Sequence, residues 1–152
     1  MNYLKLTKSM EDYLEVMYNL EKKKGIIRVV DIAEELNVKP SSVVEAVDKI
    51  YKLDLISREK YKEIKLNEKG IKAAKRVIHK HIVLKRFLNM LGVDNETADR
   101  EACAMEHILC ESTVNKFQLF TEFIETHPKG KEFIKSFRNY EKTRGKSAIP
   151  ED

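Results

Sequence analysis

Residues 31–66 constrain the fold of this chain more than any other stretch. Asp31 caps a short helix over residues 31–36, with Ile32, Ala33 and Leu36 as its inward face. Asn37-Val38-Lys39 reads as a turn, because asparagine tolerates the left-handed region and the next residue is a proline. Pro40 or Ser41 opens a second helix, apolar at Val43, Val44, Val47 and Ile50 up to Leu53. Two helices joined by so short a turn make a helix-turn-helix. Residues 55–58 and 63–66 then read as short strands bridged by Glu59-Lys60-Tyr61-Lys62, and a hairpin directly after a recognition helix is a wing. An αα-hairpin followed by an unrelated β-hairpin is the competing reading.

Glycine and proline are scarce, five and three, so each punctuates strongly. Ser9 and Asp12 supply an N-cap and a first-turn acid for an opening helix. Met10, Tyr13, Leu14, Met17 and Tyr18 carry its periodicity to Lys24, and Gly25 stops it. Asn67 caps a long helix through Met90, with Ile71, Ala74, Ile78, Ile82 and Phe87 spaced for burial, and Gly92 ends it. A helix over residues 94–110 follows. Another reaches about residue 125 through Phe117, Phe120, Phe123 and Ile124, and a last one starts at Pro128 and passes Phe133, Phe137 and Tyr140. The expected fold is mainly α. Residues 1–70 form a winged helix-turn-helix, residues 71–142 a helical domain, and residues 143–152 a tail without periodicity, expected to be disordered.

A chain of 152 residues that is 42% hydrophobic and 36% charged is a soluble globular protein. No apolar run is long enough to span a bilayer and residues 1–5 hold no signal core, so a cytoplasmic protein without membrane partners is expected. Two cysteines fit a reducing compartment. The net charge of +4 is only mildly basic: residues 1–70 hold fourteen Lys and Arg against thirteen Asp and Glu, and the excess lies further on, from Lys129 to Lys146. Charge alone argues only weakly for nucleic acid. An acidic cluster that has to be neutralised before a polyanion binds gives the same balance.

Glu101-Ala102-Cys103-Ala104-Met105-Glu106-His107 supplies such a cluster. On a helix Cys103, Glu106 and His107 fall at i, i+3 and i+4, which puts thiolate, carboxylate and imidazole on one face. These are side chains that transition metals select. Asp99 and Cys110 fall on the same stripe, opposite Ala102, Ala104, Met105, Ile108 and Leu109. A disulfide between Cys103 and Cys110 is excluded, since seven helical residues separate them by about 10 Å. A solvated face that happens to hold a Cys and a His is the alternative reading. Cys110 is expected to act as a buried small hydrophobe.

For DNA, the start of the recognition helix should enter the major groove. Pro40, Ser41 and Ser42 can approach bases and phosphates closely, with Glu45 one turn on. Arg28, Lys39, Lys49 and the wing residues Lys60 and Lys62 are phosphate candidates. Few long side chains here can make a bidentate base contact, so phosphates and DNA shape are expected to dominate.

The chain resembles the metal-dependent repressors of the diphtheria toxin repressor and manganese transport regulator family. The resemblance is carried by residues 9–15, Val30-Asp31-Ile32-Ala33 with Val38-Lys39-Pro40-Ser41-Ser42-Val43, Lys80-His81, and Glu101-Ala102-Cys103 with Glu106-His107. It covers about residues 9–140. It implies a homodimer of winged helix-turn-helix units held by a helical dimerisation and metal-binding domain, in the short two-domain form without an SH3-like domain. A divalent metal is then the co-repressor that enables binding to double-stranded operator DNA.

The resemblance implies the ligands Asp12, Glu15, His81, Cys103, Glu106 and His107. Asp12 and Glu15 match the manganese regulators, whose iron-type relatives have methionine at the first position. Cys103 matches the iron type, where manganese regulators have glutamate. Lys85 and Asp99 replace ligands of the iron-type ancillary site. Carboxylates suit Mn2+ and a thiolate favours later ions, so Fe2+ or Mn2+ is expected with a lean to Fe2+, other divalent transition ions binding in vitro. One ion shared by the first and fifth helices would set the spacing of two recognition helices.

A winged helix-turn-helix regulator that senses an organic ligand or thiol oxidation through Cys103 is the alternative. No small organic substrate is expected. An enzyme is not expected either, because no Gly-rich loop, oxyanion-hole pattern or orienting third residue accompanies Cys103 and His107.

Overall fold

The computed structural model describes residues 6–58 and 63–144. It divides into two compact units, residues 1–79 and 80–152, and the division falls inside the longest helix. Lys60, Lys62 and residues 145–152 lie outside the described residues.

The first unit holds α1 (Lys8–Lys24), α2 (Val29–Leu36), α3 (Pro40–Lys52), β1 (Ile56–Arg58), β2 (Ile64–Leu66) and the start of α4 (Glu68–Leu91). The order is that of a winged helix-turn-helix. Asn37 takes up the left-handed conformation at φ 51°, and Pro40 begins α3 at its first turn, as the turn chemistry requires. β1 and β2 pair antiparallel, Ile56 opposite Leu66 and Arg58 opposite Ile64.

One apolar core joins all of these elements. Leu14, Met17 and Leu20 of α1, Ile32 of α2, Val43, Val47 and Ile50 of α3, and Ile56, Ile64 and Leu66 of the strands are buried together. An isolated bridge between Ile27 and Ile64 lays the chain before α2 against the wing, a contact that periodicity does not reveal. Gly70 shows how tightly α4 starts beneath that wing: a Cβ there would stand 2.0 Å from the Leu55 carbonyl oxygen.

Helix ends differ from the sequence reading in instructive ways. Thr7, not Ser9, caps α1, accepting from the Met10 amide at 3.3 Å. α2 begins at Val29 with Arg28 at its cap position, which places Asp31 inside the first turn, where it pairs with Lys24 at the end of α1. Both shifts follow from tertiary or cap choices between equally suitable neighbours. Gly25 ends α1 at φ 71° and Asn67 caps α4 through Gly70, as expected.

The second unit consists of the rest of α4, α5 (Asn95–Glu106), α6 (Glu111–Thr126) and α7 (Gly130–Arg144). Val83, Leu84, Ala102 and Val114 form its small buried centre, extended by Phe87 against Phe117 at 4.5 Å between ring centroids. A bidentate pair between Arg86 and Glu125 links α4 to α6. α7 starts two residues after Pro128 and continues through Arg144, into the segment expected to lack structure. Leu119, Phe120, Phe123, Phe133, Phe137 and Tyr140 remain exposed on α6 and α7. Among the described residues no helix is long and apolar enough to cross a membrane.

Leu14 is wholly buried at the centre of the first unit. Leu14→Ala is expected to cost about 2–5 kcal/mol, read as a lower urea midpoint by circular dichroism. Lys72→Ala, on an exposed face of α4, should stay within about 0.5 kcal/mol of the parent.

Candidate metal centre

α5 presents the turn that carries Cys103, Glu106 and His107, but it ends sooner than its hydrophobic pattern suggests. Asp94 caps its start by accepting from the Thr97 amide at 2.9 Å. Its last residue is Glu106, and His107 is the C-cap. The Lys80 ammonium donates to the carbonyl oxygens of Glu106 at 3.0 Å and Leu109 at 2.9 Å. A lysine from α4 thereby caps carbonyls that a helix end leaves open. The expected helix over residues 94–110 is therefore corrected: Cys110 lies past the break as the N-cap of α6 and shares no helical stripe with Cys103.

The early stop leaves Cys103, Glu106 and His107 together. One donor atom from each lies within 4.8 Å of the other two. Cys103 is exposed, His107 half-buried, and Glu106 only 1% exposed. Glu106 Oε1 faces His107 Nε2 at 3.4 Å and has no hydrogen-bond partner among the described residues, while Oε2 accepts from His81 Nδ1 at 2.8 Å. A buried carboxylate oxygen in that state carries a large desolvation penalty that a cation relieves. Thiolate, carboxylate and imidazole together suit a borderline divalent transition ion better than Ca2+ or Mg2+. The residues fit such an ion.

His81 sits beside this cluster rather than in it. Its second nitrogen, Nε2, lies 3.3 Å from Asp99 Oδ1, an oxygen that also accepts from Lys85 Nζ at 2.5 Å. The hydrogen bond to Glu106 raises the His81 pKa most, burial opposes it, and Asp99 adds to the rise. The Lys85 ammonium, with His81 after it, holds the Asp99 carboxyl below its usual range. Spacing puts Asp99 on the Cys103 stripe, and only the resemblance points to Lys80 and to Lys85 beside Asp99; neither shows that Lys80 binds the Glu106 and Leu109 carbonyls. Asp12 and Glu15 are half-buried on α1, in the first unit.

Cys110 is exposed, not a buried hydrophobe. Its sulfur lies 3.0 Å from Ser112 Oγ and 3.2 Å from Thr113 Oγ1, and these contacts at the start of α6 bring its pKa down to about 7, the Ser112 contact first. Such a thiol is about half thiolate at neutral pH.

On the DNA side, Pro40, Ser41, Ser42, Glu45 and Lys49 are all exposed on α3, with Lys39 and Arg28 exposed before α3 and α2. α3 buries Val43, Val47 and Ile50 and turns Val44 outward at 46% exposure. Val44 shares its apolar type with Val43, Val47 and Ile50 but not their burial. Its place three residues after Ser41 was the signal that separates it.

A winged helix-turn-helix on a chain that also gathers Cys, Glu and His around a buried carboxylate defines a metal-responsive DNA-binding regulator. The chain belongs to the iron-dependent repressor family: residues 5–64 match its N-terminal DNA-binding domain and residues 67–135 its metal-binding and dimerisation domain. It is 38% identical to the HTH-type transcriptional regulator MntR of Bacillus subtilis over 132 residues, 87% of this chain and 93% of that one. It is also 38% identical to MntR of Listeria welshimeri over 130 residues, 86% of this chain and 92% of that one. Among solved structures, the manganese regulator SloR superposes with a TM-score of 0.67 at 30% identity, covering 75% of this chain and 54% of its own. The chain thus spans about half the length of SloR.

In a Cys103→Ala background, alkylation of Cys110 by iodoacetamide should rise with a midpoint near pH 7, the thiolate being the reactive form. Ser112→Ala should move that midpoint upward. An unchanged pH profile would show that the hydroxyl contact does not set it.

Proposed function

We propose that this chain is a homodimeric, metal-activated repressor of metal-ion homeostasis genes, with Fe2+ or Mn2+ as co-repressor. The buried Glu106 carboxylate between His81 and His107 is the observation that carries this reading. Cys103, Glu106 and His107 would hold the ion, with Asp12 and Glu15 supplying carboxylates from the first unit. His81, which the resemblance places among the ligands, acts in this reading by orienting Glu106. A bound divalent cation supplies the charge that lets these anionic groups stay together. Asp12 and Glu15 belong to the DNA-binding unit and Cys103, Glu106 and His107 to the other, so holding both sets favours one orientation of the recognition helices. A coupling of that kind is typically worth about 1–3 kcal/mol.

The manganese regulator SloR is named for manganese, and this likeness does not support the lean towards Fe2+. The mixed donor set keeps both ions in the proposal. The exposed aromatic face of α6 and α7 supplies the dimer contact in this reading.

Anaerobic titration of the apo-protein with Mn2+ and Fe2+, followed by gel shift on its own promoter, should show binding only with metal. Glu106→Gln should abolish the response, and Cys103→Glu should shift it towards Mn2+. Operator affinity that a chelator leaves unchanged would overturn the reading.

At the DNA, Pro40, Ser41, Ser42, Val44 and Glu45 face the bases in this reading, and Arg28, Lys39 and Lys49 face phosphates. An exposed valine on a recognition helix suits a thymine methyl group. Lys39→Ala should weaken binding about equally across sequences and lower the salt slope by about 1. Val44→Ala should leave that slope alone and lose preference at one A·T pair, read by competition with single-base operator variants.

A further inference from the structure

His81, Lys85 and Asp99 form a second group of polar side chains, joined to the Cys103–Glu106–His107 cluster through one hydrogen bond. α4 carries His81 and Lys85 four residues apart on one face. α5 brings Asp99 to both: its Oδ1 accepts from Lys85 Nζ at 2.5 Å and lies 3.3 Å from His81 Nε2. Imidazole and carboxylate converging from two helices are the groups a divalent ion gathers. Here an ammonium carried by the chain itself stands at the point of convergence.

The group is also complete as it stands. Both His81 nitrogens are engaged, one by Glu106 and one by Asp99. The Asp99 oxygen that meets His81 already accepts from Lys85. A divalent ion entering between His81 and Asp99 would have to expel Lys85 from its carboxylate and then sit beside a fixed positive charge. With Lys85 only 28% exposed, solvent screens that repulsion incompletely.

We propose that the Lys85 ammonium is a built-in cation that holds His81 and Asp99 where a second metal ion would otherwise sit, so that each subunit takes up one divalent ion. The inference rests on the assignment of that one ion to Cys103, Glu106 and His107. A permanent cation fixes Asp99, and through it His81 and Glu106, whether or not metal is present. The metal response then follows the filling of one site instead of the ordered filling of two.

Equilibrium dialysis of the full-length protein against Mn2+, with metal counted by atomic emission, tests this without reference to DNA. The parent should bind close to one ion per subunit and Lys85→Glu close to two. Adding Asp99→Asn to Lys85→Glu should return the count to one, because the gained ion needs that carboxylate. Lys85→Met should keep the strong ion and add a second, weaker step. Two ions on the parent, or one ion on Lys85→Glu with its helical circular dichroism intact, would overturn the role given to Lys85. A count that Glu106→Gln leaves unchanged would instead overturn the site at Cys103, Glu106 and His107, so the two failures are told apart.

Discussion

The buried Glu106 carboxylate is the constraint around which the second unit is organised. Placing a carboxylate at 1% exposure is costly in a medium of low dielectric unless hydrogen bonds and opposite charge surround it. Each neighbour answers part of that demand. His81 donates to one oxygen, His107 faces the other, and Lys80 holds the backbone carbonyl of the same residue. Two of these three come from α4, so the position of α5 against α4 follows from the needs of one side chain as much as from the few apolar contacts of Val83, Leu84 and Ala102. Removing one partner of such an arrangement harms it more than adding an exposed ion pair elsewhere would help.

The same demand explains why α5 stops where it does. Its apolar and polar residues continue in helical register to Cys110, and nothing local breaks them: residues 104–110 hold neither glycine nor proline. The break comes from Lys80, twenty-six residues away, whose ammonium binds the Glu106 carbonyl and, beyond the break, the Leu109 carbonyl. Tertiary contact overrides local pattern here. The consequence is chemical, since the break separates two cysteines that a continuous helix would align. Cys103 stays beside Glu106 and His107, and Cys110 becomes an exposed thiol whose acidity is set by Ser112 and Thr113.

The first unit was legible almost throughout, and for identifiable reasons. Asn37 before Val38-Lys39-Pro40 allows few backbone paths, and the alternation in Ile64-Lys65-Leu66 needs one buried face, which it has. What escaped was whatever depends on a partner distant in sequence. The Ile27–Ile64 bridge, the pairing of Asp31 with Lys24 and the contact of Lys85 with Asp99 all join elements whose mutual position no periodicity encodes. Spacing found the Cys103, Glu106 and His107 face because all three lie within one turn. It could not say whether His81 holds an ion or holds Glu106, since that depends on which way α4 turns.

Val44 shows the same limit from the DNA side and adds a point about specificity. A valine on the solvent face of α3 is exposed apolar surface retained among serines and a glutamate. Stability gives no reason for it, because Val43, Val47 and Ile50 already fill the core beneath. Serine, proline and valine are short, so α3 can approach a groove closely while making few strong hydrogen bonds to bases. Close approach with little direct reading makes affinity sensitive to where each recognition helix stands, because phosphate contacts and groove shape tolerate small displacements poorly. Under the proposed mechanism, in which metal orients the recognition helices, a surface of this kind gains most, whereas long bidentate side chains could follow the bases and blunt the control.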